Sequence, residues 1–237
     1  MIRLHQKYIF NKLNSRIICS IMLISIFFQF VIVFSFEDSN LLTFTKIETL
    51  DYYVHSSITF TKMMMILWSI YLFGFSFSKY GDNYRVLIIT KTNRKIYFIS
   101  KVMVLIMEIL KCILFLFFIH FWIGSFFTKW YVLKLNVFIE YVNIFLLSCI
   151  YGFISLIIVC LFKSIYSIFL STSVYLLSEM LASGDINQKM IGMIQLFFPT
   201  EWNMGGKDQL YFGHLHIFLL CMLYIMLSDL IYCCKKD

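Results

Sequence analysis

Proline is almost missing from this chain: Pro199 is the only one in 237 residues. Charged residues make up only 14%. Those two shortages exclude Pro-rich, collagen-like and charge-extended disordered chains, and the low charge is also too small for an ordinary soluble surface. Seven cysteines include no C-x-x-C pair and no Cys/His cluster at zinc-site spacing. Cys19, Cys112, Cys149, Cys160 and Cys221 fall inside apolar runs, and Cys233 and Cys234 close the last run. Neither a disulfide framework nor a structural metal is therefore predicted. The nine glycines build no G-x-x-x-x-G-K-[ST] phosphate cradle, and neither H-E-x-x-H nor G-x-S-x-G occurs. The chain holds no nucleotide in the P-loop manner, and no cofactor of its own is expected.

What is present is apolar surface in excess: 61% hydrophobic residues, 19% of all residues aromatic. This composition predicts an all-α integral membrane protein forming one transmembrane domain over residues 1–237. Residues 1–16 carry Arg3, Lys7, Lys12 and Arg16 without an acidic residue. Wound as a helix, they place Ile2, Ile9, Phe10, Leu13 and Ile17 opposite Arg3, Lys7, Asn11 and Asn14, the pattern of an interfacial amphipathic helix. Apolar runs follow at 17–36, 60–78, 96–127, 138–162, 165–181 and 210–233. Each is too long for a strand and lacks barrel alternation, so six spans are expected, the first of them uncleaved.

Six spans put both termini on one side, and the basic residues choose it. Segments on the amino-terminal side hold 12 Lys and Arg, opposite segments 6. By the positive-inside rule both termini are cytoplasmic, in a multi-pass protein of a cell membrane. The net charge of +7 thus sits beside spans and implies lipid contact rather than nucleic acid.

Two connections are longer than a turn requires. Residues 79–95 contain the short apolar stretch Tyr84, Arg85, Val86, Leu87, Ile88, Ile89, Thr90 and Lys91, with Asn93 placed to cap the third span. Residues 182–209 contain Ile191 to Phe198, too short to cross, then Pro199 and Gly205-Gly206, and read as a re-entrant segment before the sixth span.

Ionisable residues inside spans cost about 2.5–3.5 kcal/mol each on insertion scales and mark candidate sites. They are Lys101, Glu108, Lys111, Glu179 and Asp229. Glu108 and Lys111 stand i, i+3, so they can neutralise each other on one face or line a polar path. Lys101 and Asp229 fall near the cytoplasmic interface and Glu179 near the outer end of its span. His214 and His216 are two apart, about 200° around a helix, and do not converge on one ion. Ser148, Gly152 and Ser155 form a small-residue face on the fourth span, and Ser164, Ser167, Ser171 and Ser178 one on the fifth, both suited to close helix contact.

This architecture resembles the ABC-2 type permease family, the six-span membrane subunits of ABC exporters. The local match runs from Trp68 to Leu105, where Gly81, Tyr84, Leu87 to Thr90, Arg94, Phe98 and Lys101 are similar to that family's stretch around its coupling helix. The resemblance implies that Tyr84 to Lys91 docks on a separate cytoplasmic P-loop ATPase, which binds the ATP, and that a second permease copy or paralogue completes the pathway. It also implies export of an amphipathic substrate, such as a peptide or an antimicrobial peptide handled in self-immunity, with no covalent chemistry in this chain. Two other classes fit the same residues. One is an intramembrane enzyme, a protease or lipid-modifying protein using Glu108, Glu179, His120 or His214. The other is a non-catalytic membrane sensor or assembly protein.

Overall fold

The computed structural model describes residues 5–6, 12–38, 46–78, 93–127, 135–162, 164–183, 197–199 and 207–234. Among them are six long helices and no strand: α1 (Lys12–Asp38), α2 (Lys46–Phe77), α3 (Arg94–Phe127), α4 (Leu135–Phe162), α5 (Ser167–Ser183) and α6 (Lys207–Cys234). Five carry stretches long and apolar enough to cross a bilayer, namely Asn14–Ile32, Tyr53–Phe77, Arg94–Ser125, Val137–Phe162 and His216–Cys233. The chain is a helical, multi-pass membrane protein. The run expected as the fifth span is the exception, because α5 has 17 residues. At 1.5 Å per residue it reaches about 26 Å, short of the hydrocarbon thickness of about 30 Å.

Several expectations fall where no structure is described. Tyr84, Arg85, Val86, Leu87, Ile88, Ile89, Thr90 and Lys91 lie outside the described residues, as do 184–196 and 200–206 of the segment read as re-entrant. Of the amino-terminal segment, His5, Gln6 and the residues from Lys12 onward are described. There α1 begins five residues before the apolar run, and Asn14, placed on the polar face by periodicity, is fully buried. Its Oδ1 accepts a hydrogen bond from the Tyr71 hydroxyl at 3.1 Å, which satisfies the amide inside the bundle.

Burial ranks the helices. In α4, 72% of the spanning stretch is buried, against 17% in α1, so α4 is the central helix and α1 the outer one. α4 packs on α2, α3, α5 and α6, while α1 lies against α2 and α3. Outward surfaces are apolar, with Phe27, Phe118, Trp122, Leu161 and Phe169 all exposed, as suits helices facing hydrocarbon.

Lipid chains are as apolar as leucine, so burying one helix on another gains little of the water-driven free energy that holds soluble cores. Close packing and interhelical hydrogen bonds must do it instead. The seam of α2 with α4 supplies both. Ser69 Oγ donates to the carbonyl of Ser148, and Ser155 Oγ donates to the carbonyl of Ile70 at 2.8 Å. Between these bonds Gly152 lets Phe73 and Ser69 press onto α4: a Cβ there would stand 2.6 Å from Ser69 Oγ and 2.8 Å from Phe73. A Cβ at Gly74 would stand 2.6 Å from Ser155 Oγ and 2.7 Å from Ile168, so α5 joins at the same level. Phe73 and Phe153 close the layer edge to face at 5.1 Å.

The start of α5 is equally local. Ser164 Oγ accepts from the Tyr166 amide at 3.2 Å, turning the chain between α4 and α5. The α5 hydroxyls of Ser171, Thr172, Ser173 and Ser178 donate to carbonyls four residues back at 2.8–3.0 Å, so buried Ser171 and Ser178 carry no unsatisfied proton into the bundle.

Gly152→Ala tests the seam. Overpacking at a site this tight is expected to cost about 1–3 kcal/mol, read as a lower melting temperature in detergent. Adding Ser69→Ala removes the nearest obstructing atom and should recover part of that loss, a coupling absent if the two helices do not touch at Gly152.

Candidate functional site

Two clusters of charge sit on α2, one at its carboxyl-terminal end and one near its middle. At the end where α2 finishes and α3 begins, Lys101 is completely buried. Its ammonium lies 4.7 Å from the centre of the Phe77 ring and 5.4 Å from that of Tyr97, with the Tyr97 hydroxyl at 3.3 Å. Aromatic faces attract a cation by their quadrupole, and the attraction grows where water is excluded. Phe77, Phe98 and Tyr232 pack on one another with centroids 5.0–5.7 Å apart, drawing α6 into the same knot. Arg94 caps the Tyr232 ring at 5.1 Å.

The flanking polar groups extend this knot outward. Asp229, a predicted site residue, stands 3.9 Å from Lys95 and accepts from the Cys233 thiol at 3.4 Å. Asn93 caps α3, its Oδ1 accepting from the Lys95 amide at 3.1 Å. His5 is buried against the same place, with Nε2 2.9 Å from Ser100 Oγ and its ring edge-on to Tyr97 at 5.0 Å. Burial, and then the charge of Lys101, lower the His5 pKa from 6.5 to about 4. Lys101, placed near an interface by sequence, is thus a buried centre around which three helix ends are tied.

The second cluster lies between α1, α2 and α5. Glu179, another predicted residue, has its Oε1 3.2 Å from the Lys62 ammonium, with side-chain exposures of 27% and 10%. The pair sits in a cleft of about 540 Å³ lined by Phe28, His55, Ser56, Thr59, Phe60, Met63, Tyr175 and Leu176. Phe28 and Phe60 stack at 3.8 Å to wall off one side, and Tyr175 is braced from behind by Tyr151 at 5.0 Å. Lys62 was visible in the sequence only as an interruption of a run. The signal that finds it is depth: Lys62 and Glu179 each lie two residues inside the same end of their runs, 60–78 and 165–181, with opposite charge.

Glu108 and Lys111 meet at 2.7 Å on one face of α3. Glu108 is largely enclosed and Lys111 more than half exposed, so the lysine head reaches outward from a shielded carboxylate. The structure keeps this pair apart from the cleft, whose lining contains neither residue. His120 stands 12 residues further along α3, about 18 Å from Glu108 by helical rise. There Nδ1 lies 2.8 Å from the Tyr141 hydroxyl, while Tyr53 donates to the His120 carbonyl at 3.3 Å, linking α2, α3 and α4. Glu108, Glu179 and His120 therefore do not share a centre. Among the described residues no three His, Cys, Asp or Glu side chains come together as metal ligands.

No family model, no curated protein and no solved structure matches the chain. Function must accordingly be argued from the two clusters themselves.

Each cluster generates a prediction. Lys62→Met alone leaves the Glu179 carboxylate without its cation. The expected loss is about 1–3 kcal/mol, less than the 3–5 kcal/mol of a fully buried pair because the Glu179 side chain is 27% exposed. Lys62→Met with Glu179→Gln leaves no lone charge and should restore most of the melting temperature. For His5, docked and undocked forms are both neutral above pH 6.5. As pH falls, the undocked residue takes up a proton first, so docking weakens progressively from pH 6.5 to about 4. Hydrogen exchange at residues 5–6, corrected for its intrinsic rate, should rise between pH 7.5 and 5, and His5→Phe should abolish that rise.

Proposed function

We propose that the chain is the membrane-spanning permease subunit of an ABC exporter, moving an amphipathic substrate such as a peptide, and driven by a separate cytoplasmic P-loop ATPase. In this reading the bundle sits in a cell membrane, that of a bacterium, with six crossings and both termini cytoplasmic. α5 completes its crossing together with adjoining residues or by local thinning of the bilayer. Residues 182–209 return into the outer surface, and two copies, or this chain and a paralogue, enclose the path.

The observation that carries the reading is the knot around Lys101. α2 ends at Phe77 and α3 starts at Arg94, and both ends are clamped on the same buried ammonium and on Tyr232 of α6. The connection between them contains Tyr84 to Lys91, the stretch similar to a coupling helix. A load applied to that connection reaches three helices together, because packed cores shift between discrete arrangements rather than yielding continuously. The amphipathic character of the substrate accords with the cleft beside the middle of α2, which pairs charge with apolar walls. Covalent chemistry has no role in this mechanism; transport proceeds by tilting of helices when the partner ATPase closes.

The test is co-purification of the tagged chain with its genomic neighbours in mild detergent. An ATPase in near-equal amount is expected. Leu87→Asp or Ile88→Asp should reduce its recovery by at least about ten-fold, the effect of placing a charge at an interface hot spot. Membrane insertion should be unchanged, and Glu108→Gln should leave recovery intact. Purification of the chain alone would sink the exporter reading.

A further inference from the structure

The face that α1 turns inward is polar. Among its described side chains the buried ones are Asn14, Ser25, Gln29 and Ile32, so three of the four carry hydrogen-bonding groups. Asn14 is satisfied by Tyr71. Ser25 and Gln29 are not: the Ser25 hydroxyl and both amide atoms of Gln29 have no hydrogen-bond partner among the described residues. On α2 the hydroxyls of Ser57 and Thr61, both completely buried, are unpartnered in the same way.

These groups fall at one level of one seam. α1 and α2 run antiparallel, with Asn14 bonded to Tyr71, Phe28 stacked on Phe60, and Ile32 packed with Tyr53 against Ile123 of α3. That register sets Ser25 across from Thr61 and Gln29 across from Ser57, and the i, i+4 spacing keeps each helix's two residues on a single face. None of the four lines the cleft that holds Lys62. The contrast with other buried hydroxyls is direct: Ser69 and Ser155 donate across the α2–α4 seam, and Ser171 and Ser178 donate within α5.

Hydroxyl and amide groups held away from any partner in a low-dielectric setting are costly, and water removes the cost. As packed, α1 shields all five atoms, so water reaches them only when α1 draws off. Little opposes that movement. Only 17% of the α1 span is buried, and its outward residues Leu23 and Phe27 are exposed already. We propose that α1 is a gate which parts from α2 at this level and admits water to Ser25, Gln29, Ser57 and Thr61. The proposal does not rest on the exporter reading, because the polar seam supplies the tendency to open without an ATPase.

The test uses the full chain in proteoliposomes, with the water-soluble, permanently charged thiol reagent methanethiosulfonate ethyltrimethylammonium on both sides. Ser25→Cys and Ser57→Cys, made separately, place a thiol on each wall of the seam, and peptide mass spectrometry reads its modification apart from that of the native cysteines. Native Cys149, buried in α4, is the internal standard for the closed bundle. Each introduced thiol should react at least about ten-fold faster than Cys149, as expected of local rather than global opening. Thr61→Val with Gln29→Leu, added to Ser25→Cys, removes polar groups at similar volume and should bring the rate down to that of Cys149. If either introduced thiol reacts no faster than Cys149, the seam stays dry and the proposal is overturned. A fast rate that persists with Thr61→Val and Gln29→Leu overturns it too, because opening would then not depend on the unpartnered groups.

Discussion

Contact between α2 and α4 through small residues is the constraint on which the rest of the bundle depends. In hydrocarbon no solvent penalty drives the helices together, and interhelical hydrogen bonds contribute only about 0.6 kcal/mol each on average. Dispersion contacts must accumulate, and they do so only where backbones approach closely. Gly152 and the serines at 69, 148 and 155 allow that approach, and Phe73 and Phe153 fill the layer beside it. α5 is positioned by the same layer through Ile168 against Gly74. α1, whose outward residues Leu23 and Phe27 are among the most exposed, is held by particular bonds such as Tyr71 to Asn14 rather than by bulk burial.

Charge is distributed so that this seam stays uncharged. Lys62 with Glu179 lies on one side of it and Lys101 with its aromatic shell on the other. The two lysines are neutralised in different ways: Lys62 by a carboxylate on another helix, Lys101 by ring faces and a phenol hydroxyl. The first joins α2 to α5 through an ion pair, while the second binds helix ends to each other through aromatic faces.

Much of this was legible in the sequence, for identifiable reasons. Composition and run length suffice for helices in a membrane, because no other element satisfies its own backbone there. The small-residue face Ser148, Gly152, Ser155 and the pair Glu108 with Lys111 were readable because both follow from i, i+3 and i+4 spacing on a single helix. Pairings between helices were not. Lys62 with Glu179, and Lys101 within Phe77 and Tyr97, depend on how α2 and α5, or α2 and α3, are packed, and periodicity within a helix carries no information on that. Asn14 failed for a related reason, since its polar character was assigned to the outside while a partner hydroxyl, Tyr71, lay across the helix contact. The run 165–181 matches α5 in length, and the helix, Ser167–Ser183 with 17 residues, lies two residues later because Ser164 to Tyr166 turn the chain.

The two clusters are joined by one element. From Lys62 to Phe77, α2 runs 15 residues without proline, about 22 Å of continuous helix, and the seam with α4 lies between. At Gly74, Ser155 and Ile168 fill the space a side chain would take. α2 therefore transmits displacement as a rod. If, as proposed, Tyr84 to Lys91 is pushed by an ATPase, the load enters α2 at Phe77 and passes the Gly152 contact before it reaches Lys62. α5 meets α2 at Gly74, through Ile168, and again where Glu179 pairs with Lys62. The ion pair of Lys62 with Glu179 thus ties α5 to α2 on the far side of the Gly152 contact from the knot at Lys101.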